Sequence, residues 1–212
     1  MPIKQPTETR QAALVAAALA LAAERSPSEV TTAALAQAVG ITQGAVFRHF
    51  ESKEAIWVAV IDFAHRALLD RLRAAADAQP DPLLALRAVF MAHVGFVVEQ
   101  PGVPRVIFQE LQHPEDTPLK ARVRELMQAY RALLAGLLER AKAERQLAPG
   151  IDLQAATVLF IGSVQGLVMQ SLLAGDVARM RQDAPGVFAI YLRGIRRQPL
   201  SLIHISEPTR PY

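Results

Sequence analysis

Residues 31–50, TTAALAQAVGITQGAVFRHF, constrain the chain more tightly than any other stretch. Thr31 can cap a helix, because its hydroxyl accepts a bond from a backbone N–H that would otherwise lack a partner. Val30 before it and Leu35 within the helix form a hydrophobic staple. Ala34, Leu35, Ala38 and Val39 recur at helical spacing. Gly40 supplies a left-handed residue to end the helix. Thr42 then repeats the cap, with Ile41 and Val46 as its staple pair. Two capped helices separated only by VGIT leave room for a three- or four-residue turn, the geometry of a DNA-reading helix-turn-helix.

The second helix carries the chemistry for reading bases. Thr42, Gln43 and Gly44 open it, at the end that enters the major groove. Gln43 can bond an adenine edge through two atoms, and Thr42 can reach a base or a phosphate. Gly44 is unfavourable in a helix by about 1 kcal/mol against alanine, which a close backbone approach to DNA explains. Arg48 and His49 are expected on phosphates. Lys53, just after the Ser52 cap, stands where the helix dipole disfavours a cation, and a phosphate there removes the objection.

The pattern TxxxLAxxxGxTxGxxFxHFxSKE, followed by Trp57, resembles the N-terminal domain of the TetR family of bacterial repressors, over roughly residues 9 to 60. The family commonly has tyrosine where this chain has Phe47. By that resemblance, Thr31, Thr32, Thr42, Gln43, Gly44, Phe47, His49 and Lys53 fall where family members touch DNA.

Charge alone would not have pointed to DNA. Residues 1–56 carry five Lys/Arg and five Glu, although the whole chain is formally +3. Any grip on phosphates must come from where the cations lie. The chain has no cysteine, which excludes disulfides and thiolate metal sites and fits a cytoplasmic protein. The apolar run Ala12 to Ala23 mimics a secretory signal, but Glu8 precedes it and its stripe of Leu14, Ala18, Leu21 and Ala22 suits packing behind the reading helices. It is too short to span a bilayer. No longer apolar run is expected, and no membrane partner.

The rest of the chain shows helical periodicity and no sustained period-two alternation. The expected fold is all-α, with about nine helices near 9–25, 32–39, 43–49, 53–77, 82–100, 103–112, 118–146, 152–174 and 185–198. Pro80, Pro82, Pro101, Pro104, Pro118 and Pro149 punctuate the elements, and Pro185 is read as opening the last helix. The division expected is a helix-turn-helix domain at 1–52 and a ligand-binding and dimerisation domain at 53–198. The helix beginning at Lys53 is shared between them. Residues 201–212, SLIHISEPTRPY, lose helical periodicity. The tail 199–212 reads as translated adaptor sequence or as a disordered native end.

Residues 155–173 are apolar nearly all round, so that helix must be buried on more than one side. Gly162 and Gly166 share a face that permits close helix approach. With Met169 and a second stripe of Val187, Ile190 and Tyr191, they are the expected homodimer interface, a four-helix bundle with the symmetry mates. In the resembled family the corresponding helices dimerise. Two heads on a twofold axis would read a palindromic operator in double-stranded DNA.

Phe90, Met91, Val94, Phe108, Gln109, Met127, Tyr130, Leu134, Phe160, Gln165 and Met169 are candidates to line a pocket for a small hydrophobic, uncharged inducer. His93, Gln109 and His113 could orient it. By resemblance, such an inducer would swing the fourth helix and part the heads.

No catalytic residue, metal or cofactor is expected. GSVQG at 162–166 is not a nucleophile elbow and falls mid-helix. There is no H-E-x-x-H, phosphate loop or dinucleotide fingerprint, and His113, Glu115 and Asp116 lack ligand spacing. The competing readings are a helical scaffold or an enzyme-like bundle with a vestigial DNA-binding head.

Overall fold

A computed structural model describes residues 7–197. The tail assigned to 199–212 and the last residue of the expected second domain lie outside the described residues. The elements are α1 (Thr7–Glu24), a single 3-10 turn (Pro27–Glu29), α2 (Thr32–Ala38), α3 (Gln43–Val46) and α4 (Lys53–Asp77). They are followed by α5 (Pro82–Glu99), α6 (Gly102–Glu110), α7 (Pro118–Ala143), α8 (Leu153–Ala174) and α9 (Met180–Ile195). The described residues form an all-α fold of nine helices. The sole extended pairing among them is an isolated antiparallel bridge, Leu147 to Arg196.

The helices begin where their caps dictate. The hydroxyls of Thr31, Thr42, Ser52 and Thr117 accept from the backbone N–H groups of Ala34, Ala45, Ala55 and Lys120. The carboxylates of Asp81 and Asp152 do the same for α5 and α8. Each cap satisfies a donor in the first turn that the helix itself leaves unpaired. Gly175 closes α8 in the left-handed conformation at φ +68°, as glycine alone does without strain.

α4 is the axis of the molecule. Its buried face runs through Ile56, Trp57, Val60, Ile61, Ala64, Leu68, Leu69, Leu72 and Ala76. It packs on α1, α5 and α7. α1, α2 and α3 close on the start of α4 through Leu14, Ala18, Val30, Leu35 and Val46, all at 0% exposure. The core is one continuous cluster from α1 to α9, so no flexible tether separates the reading helices from the rest.

Three expectations are corrected. α3 stops at Val46 rather than 49; Arg48 and His49 instead donate to the carbonyls of Ala45 and Val46, three residues back. This tightened turn brings the chain round to the Ser52 cap. α9 opens at Met180, not Pro185, because Met180 is buried at 1% and anchors the first turn. Finally, α5 and α8 are both long and apolar enough, by length and composition, to cross a membrane. α5 is a core helix, packed among α4, α7, α8 and α9.

Candidate functional site

α3 turns Ala45 and Val46 inward. That leaves Thr42, Gln43 and Gly44 exposed along its front edge, with Arg48 exposed just beyond. Phe47 is 49% exposed, a large apolar group to leave in water. The structure thus brings Thr42, Gln43, Gly44, Phe47 and Arg48 to one surface, with Thr31 and Thr32 beside them across the turn. The Gln43 amide donates to the Thr32 hydroxyl at 2.8 Å. A Cβ added at Gly44 would meet open space, so nothing within the protein requires a glycine there.

Two residues of α1 hold this surface in place, and the sequence reading assigned neither a role. Arg10 donates to the Val39 carbonyl at the end of α2 at 3.4 Å. Gln11 donates to the His49 carbonyl at 2.9 Å. Each satisfies a carbonyl that a terminating helix leaves free. No local pattern reveals such contacts, since the partners lie 29 and 38 residues away. His49 itself is half-buried, and its Nδ1 has no partner among the described residues.

Lys53 stands at the start of α4, beside the 3-10 turn. Its ammonium donates to the Ser28 carbonyl at 3.1 Å. The ion pairs among the described residues do not include it. Burial pushes its pKa below the ordinary lysine value. A cation that is partly desolvated, unpaired with carboxylate and at a positive helix end is electrostatically under-satisfied.

A second feature lies inside the body. α4, α5, α6, α7 and α8 line a partly open apolar cavity of about 70 Å³. Of the expected pocket residues, Phe108, Met127, Tyr130 and Gln165 reach it, together with His93. His93 Nδ1 and the Tyr130 hydroxyl share a hydrogen bond of 3.0 Å. Burial holds His93 neutral, its pKa pushed down to about 4, and raises that of Tyr130. The cavity wall contains no Lys, Arg, Asp or Glu.

The remaining candidates lie elsewhere. Phe90 and Phe160 stack edge to face at 5.2 Å and are, with Leu134, fully buried in solid core. Val94 is 2% exposed in the same core, and Met91 packs on its margin. Periodicity cannot tell a filled aromatic cluster from a cavity wall, because both need apolar residues at the same spacing. Gln109 turns away from the cavity and accepts from Ser28 in the 3-10 turn and from Ser26 just before it. Met169 points outward at 46% exposure.

Gly162, Gly166, Met169 and Ile190 all lie on the outer face of α8 and α9. Val158, Leu159 and Leu173 join them, at 59%, 55% and 76% exposure. Val187 is half-buried. Tyr191 departs from the expected interface. It turns inward, 3% exposed, against Phe160 at 5.4 Å, because the ring fills the space between α8 and α9. Its hydroxyl has no partner among the described residues.

Residues 14–60 match the sequence family described as bacterial regulatory proteins, tetR family, and residues 109–184 match a tetracyclin repressor-like C-terminal domain. The nucleoid occlusion factor SlmA of Alteromonas mediterranea is 31% identical over 156 residues, covering 73% of this chain and 77% of that protein. Among solved structures, the regulator FadR from Bacillus subtilis in complex with stearoyl-CoA superposes with a TM-score of 0.76 at 17% identity, covering 87% of this chain and 99% of that one. The triclosan complex of SmeT, a multidrug efflux pump repressor of Stenotrophomonas maltophilia, superposes at 0.72 with 19% identity, over 95% and 99%.

Proposed function

Given that the chain belongs to the TetR family of DNA-binding regulatory proteins, we propose that it is a dimeric repressor. It binds a palindromic operator and leaves it when a neutral, largely hydrophobic inducer enters the body. Residues 1–52 act as the reading head and 53–198 as the ligand and dimer body, with α4 common to both. Such a protein works in the cytoplasm, where the chromosome is.

The observation that carries this reading is the front edge of α3. Gln43 is exposed and steadied by the Thr32 hydroxyl, Gly44 is exposed with nothing of the protein near an added Cβ, and Lys53 at the start of α4 makes no ion pair among the described residues. Bases are read by Gln43 and Thr42, and phosphates are held by Lys53, Arg48 and His49. The outer face of α8 and α9 supports dimerisation: an uncovered apolar stripe there suits an interface, and its glycines allow a partner helix close approach.

The inducer reading rests on the cavity wall. With no ionised group to compensate it, a charged ligand would be buried at heavy cost. A neutral molecule with one hydrogen-bonding group fits His93, Tyr130 or Gln165. The cavity is far below the roughly 300 Å³ of an ordinary ligand pocket. Occupancy therefore requires the surrounding helices to part, and the inducer must favour that parted state over the DNA-binding one.

A second reading is favoured by the SlmA match. In it the chain is a chromosome-bound nucleoid occlusion factor whose output is not the expression of a neighbouring gene. Fragments of the source genome selected on the protein test both. Altered transcription of genes beside the selected sites, on deletion of the protein, is expected for a repressor. Bound sites with unchanged transcription would favour the second reading. No selected fragment at all would overturn both.

A further inference from the structure

Gln109 sits one residue beyond the cavity wall, yet its side chain belongs to the other end of the molecule. Its Oε1 accepts from the Ser28 backbone N–H at 2.9 Å and from the Ser26 hydroxyl at 3.2 Å. The two serine hydroxyls lie 2.7 Å apart and share a further bond. The Ser28 carbonyl in turn accepts the Lys53 ammonium. Ser28 is thus held at both of its backbone groups, one by α6 and one by α4.

The position of this residue gives the contact its consequence. Ser28 lies in the 3-10 turn that leads through the buried Val30 to the Thr31 cap of α2. α6 also grips the head at its other end. Gly102 meets the Leu19 backbone carbonyl so closely that a Cβ has no room there. The face of α6 between these two grips, at Val103, Ile107 and Phe108, walls the cavity.

We propose that Gln109 is a positioning residue for DNA binding: it fixes the Pro27–Glu29 turn, and through the Ser28 carbonyl it aims the Lys53 ammonium at the DNA backbone. Displacing α6 then reaches the phosphate contact directly, without passing along α4. The inference rests on the DNA-binding reading above. The three bonds share Ser28, so the effects of Gln109 and Lys53 must be coupled rather than additive.

The test is a double-mutant cycle on the full chain, read as binding to a random-sequence duplex at several salt concentrations. Gln109→Ala removes the bonds from Ser28 and Ser26 and is expected to weaken binding about three- to tenfold and to lower the salt slope. In the Lys53→Ala background the same change is expected to cost less than about twofold. Amide exchange at Ser28 is read in parallel. It is expected to accelerate about tenfold in Gln109→Ala and to stay slow in Gln109→Glu, which keeps the accepting oxygen. Equal loss in both backgrounds, or unchanged Ser28 exchange in Gln109→Ala, would overturn the proposal. If the unaltered protein fails to bind duplex at all, the DNA reading falls instead, and the exchange measurement still decides whether the turn is held as described.

Discussion

The Gln43 side-chain amide reaches back across the turn to the Thr32 hydroxyl at 2.8 Å. One of its two N–H donors is therefore occupied, while the other and the oxygen stay available. The bond keeps the side chain in one rotamer on the exposed edge. Gln43→Ala is expected to lose about 1–3 kcal/mol of preference for a selected genomic fragment over random duplex. Binding to random duplex should hardly change, because phosphate contacts carry it. Competition binding at one fixed salt concentration measures both. An equal loss on both duplexes would remove Gln43 as a base reader.

Gly44 offers a prediction with opposite signs in two assays. A Cβ there meets open space within the protein. Gly44→Ala should therefore stabilise the free protein by up to about 1 kcal/mol, a rise in Tm of about 2–4 °C. On DNA the same methyl group stands between helix and duplex, and affinity should fall. A stabilised variant with undiminished affinity would mean that the backbone does not approach the bases closely.

The parts that were legible in the sequence are those set by near neighbours. Thr31, Thr42 and Ser52 cap α2, α3 and α4 because a hydroxyl and an N–H three residues on meet whenever the chain turns helical. The parts that were not legible depend on distant segments. The Arg10 and Gln11 contacts to helix ends, the inward turn of Tyr191 and the solid packing of Phe90 on Phe160 are fixed only when the helices dock. Pro185 misled for a related reason. Proline suits a helix opening, but the buried side chain of Met180 decides where α9 starts.

Gly162 lies exposed on α8 with no atom near an added Cβ. Gly162→Leu therefore leaves the protomer unstrained and gains up to about 1 kcal/mol of helix propensity. It should nevertheless separate paired helices. Sedimentation is expected to show loss of association with thermal stability of the protomer retained. An intact dimer would place the interface off this face.

His93 makes stability depend on pH in a defined window. Burial holds its pKa at about 4 in the folded chain, against an ordinary value of 6.5. The unfolded chain therefore binds a proton that the folded chain refuses. Stability is complete above pH 6.5 and falls as pH drops toward 4, by about 3 kcal/mol at most. Urea unfolding of the unaltered protein and of His93→Gln across this window checks it. The slope should flatten in the variant. An identical slope in both would assign the pH dependence to other groups.

The most direct test is a footprint of the protein on a fragment selected from its own genome. Paired protection of two major-groove segments, symmetric about a centre and separated by one helical turn or a multiple of it, is expected. The protection should vanish for the selected sequence, while random-duplex affinity persists, when Gln43 is replaced by alanine. A single unpaired segment, or uniform protection indifferent to sequence, would contradict the claim that twin copies of α3 present their front edges to the duplex.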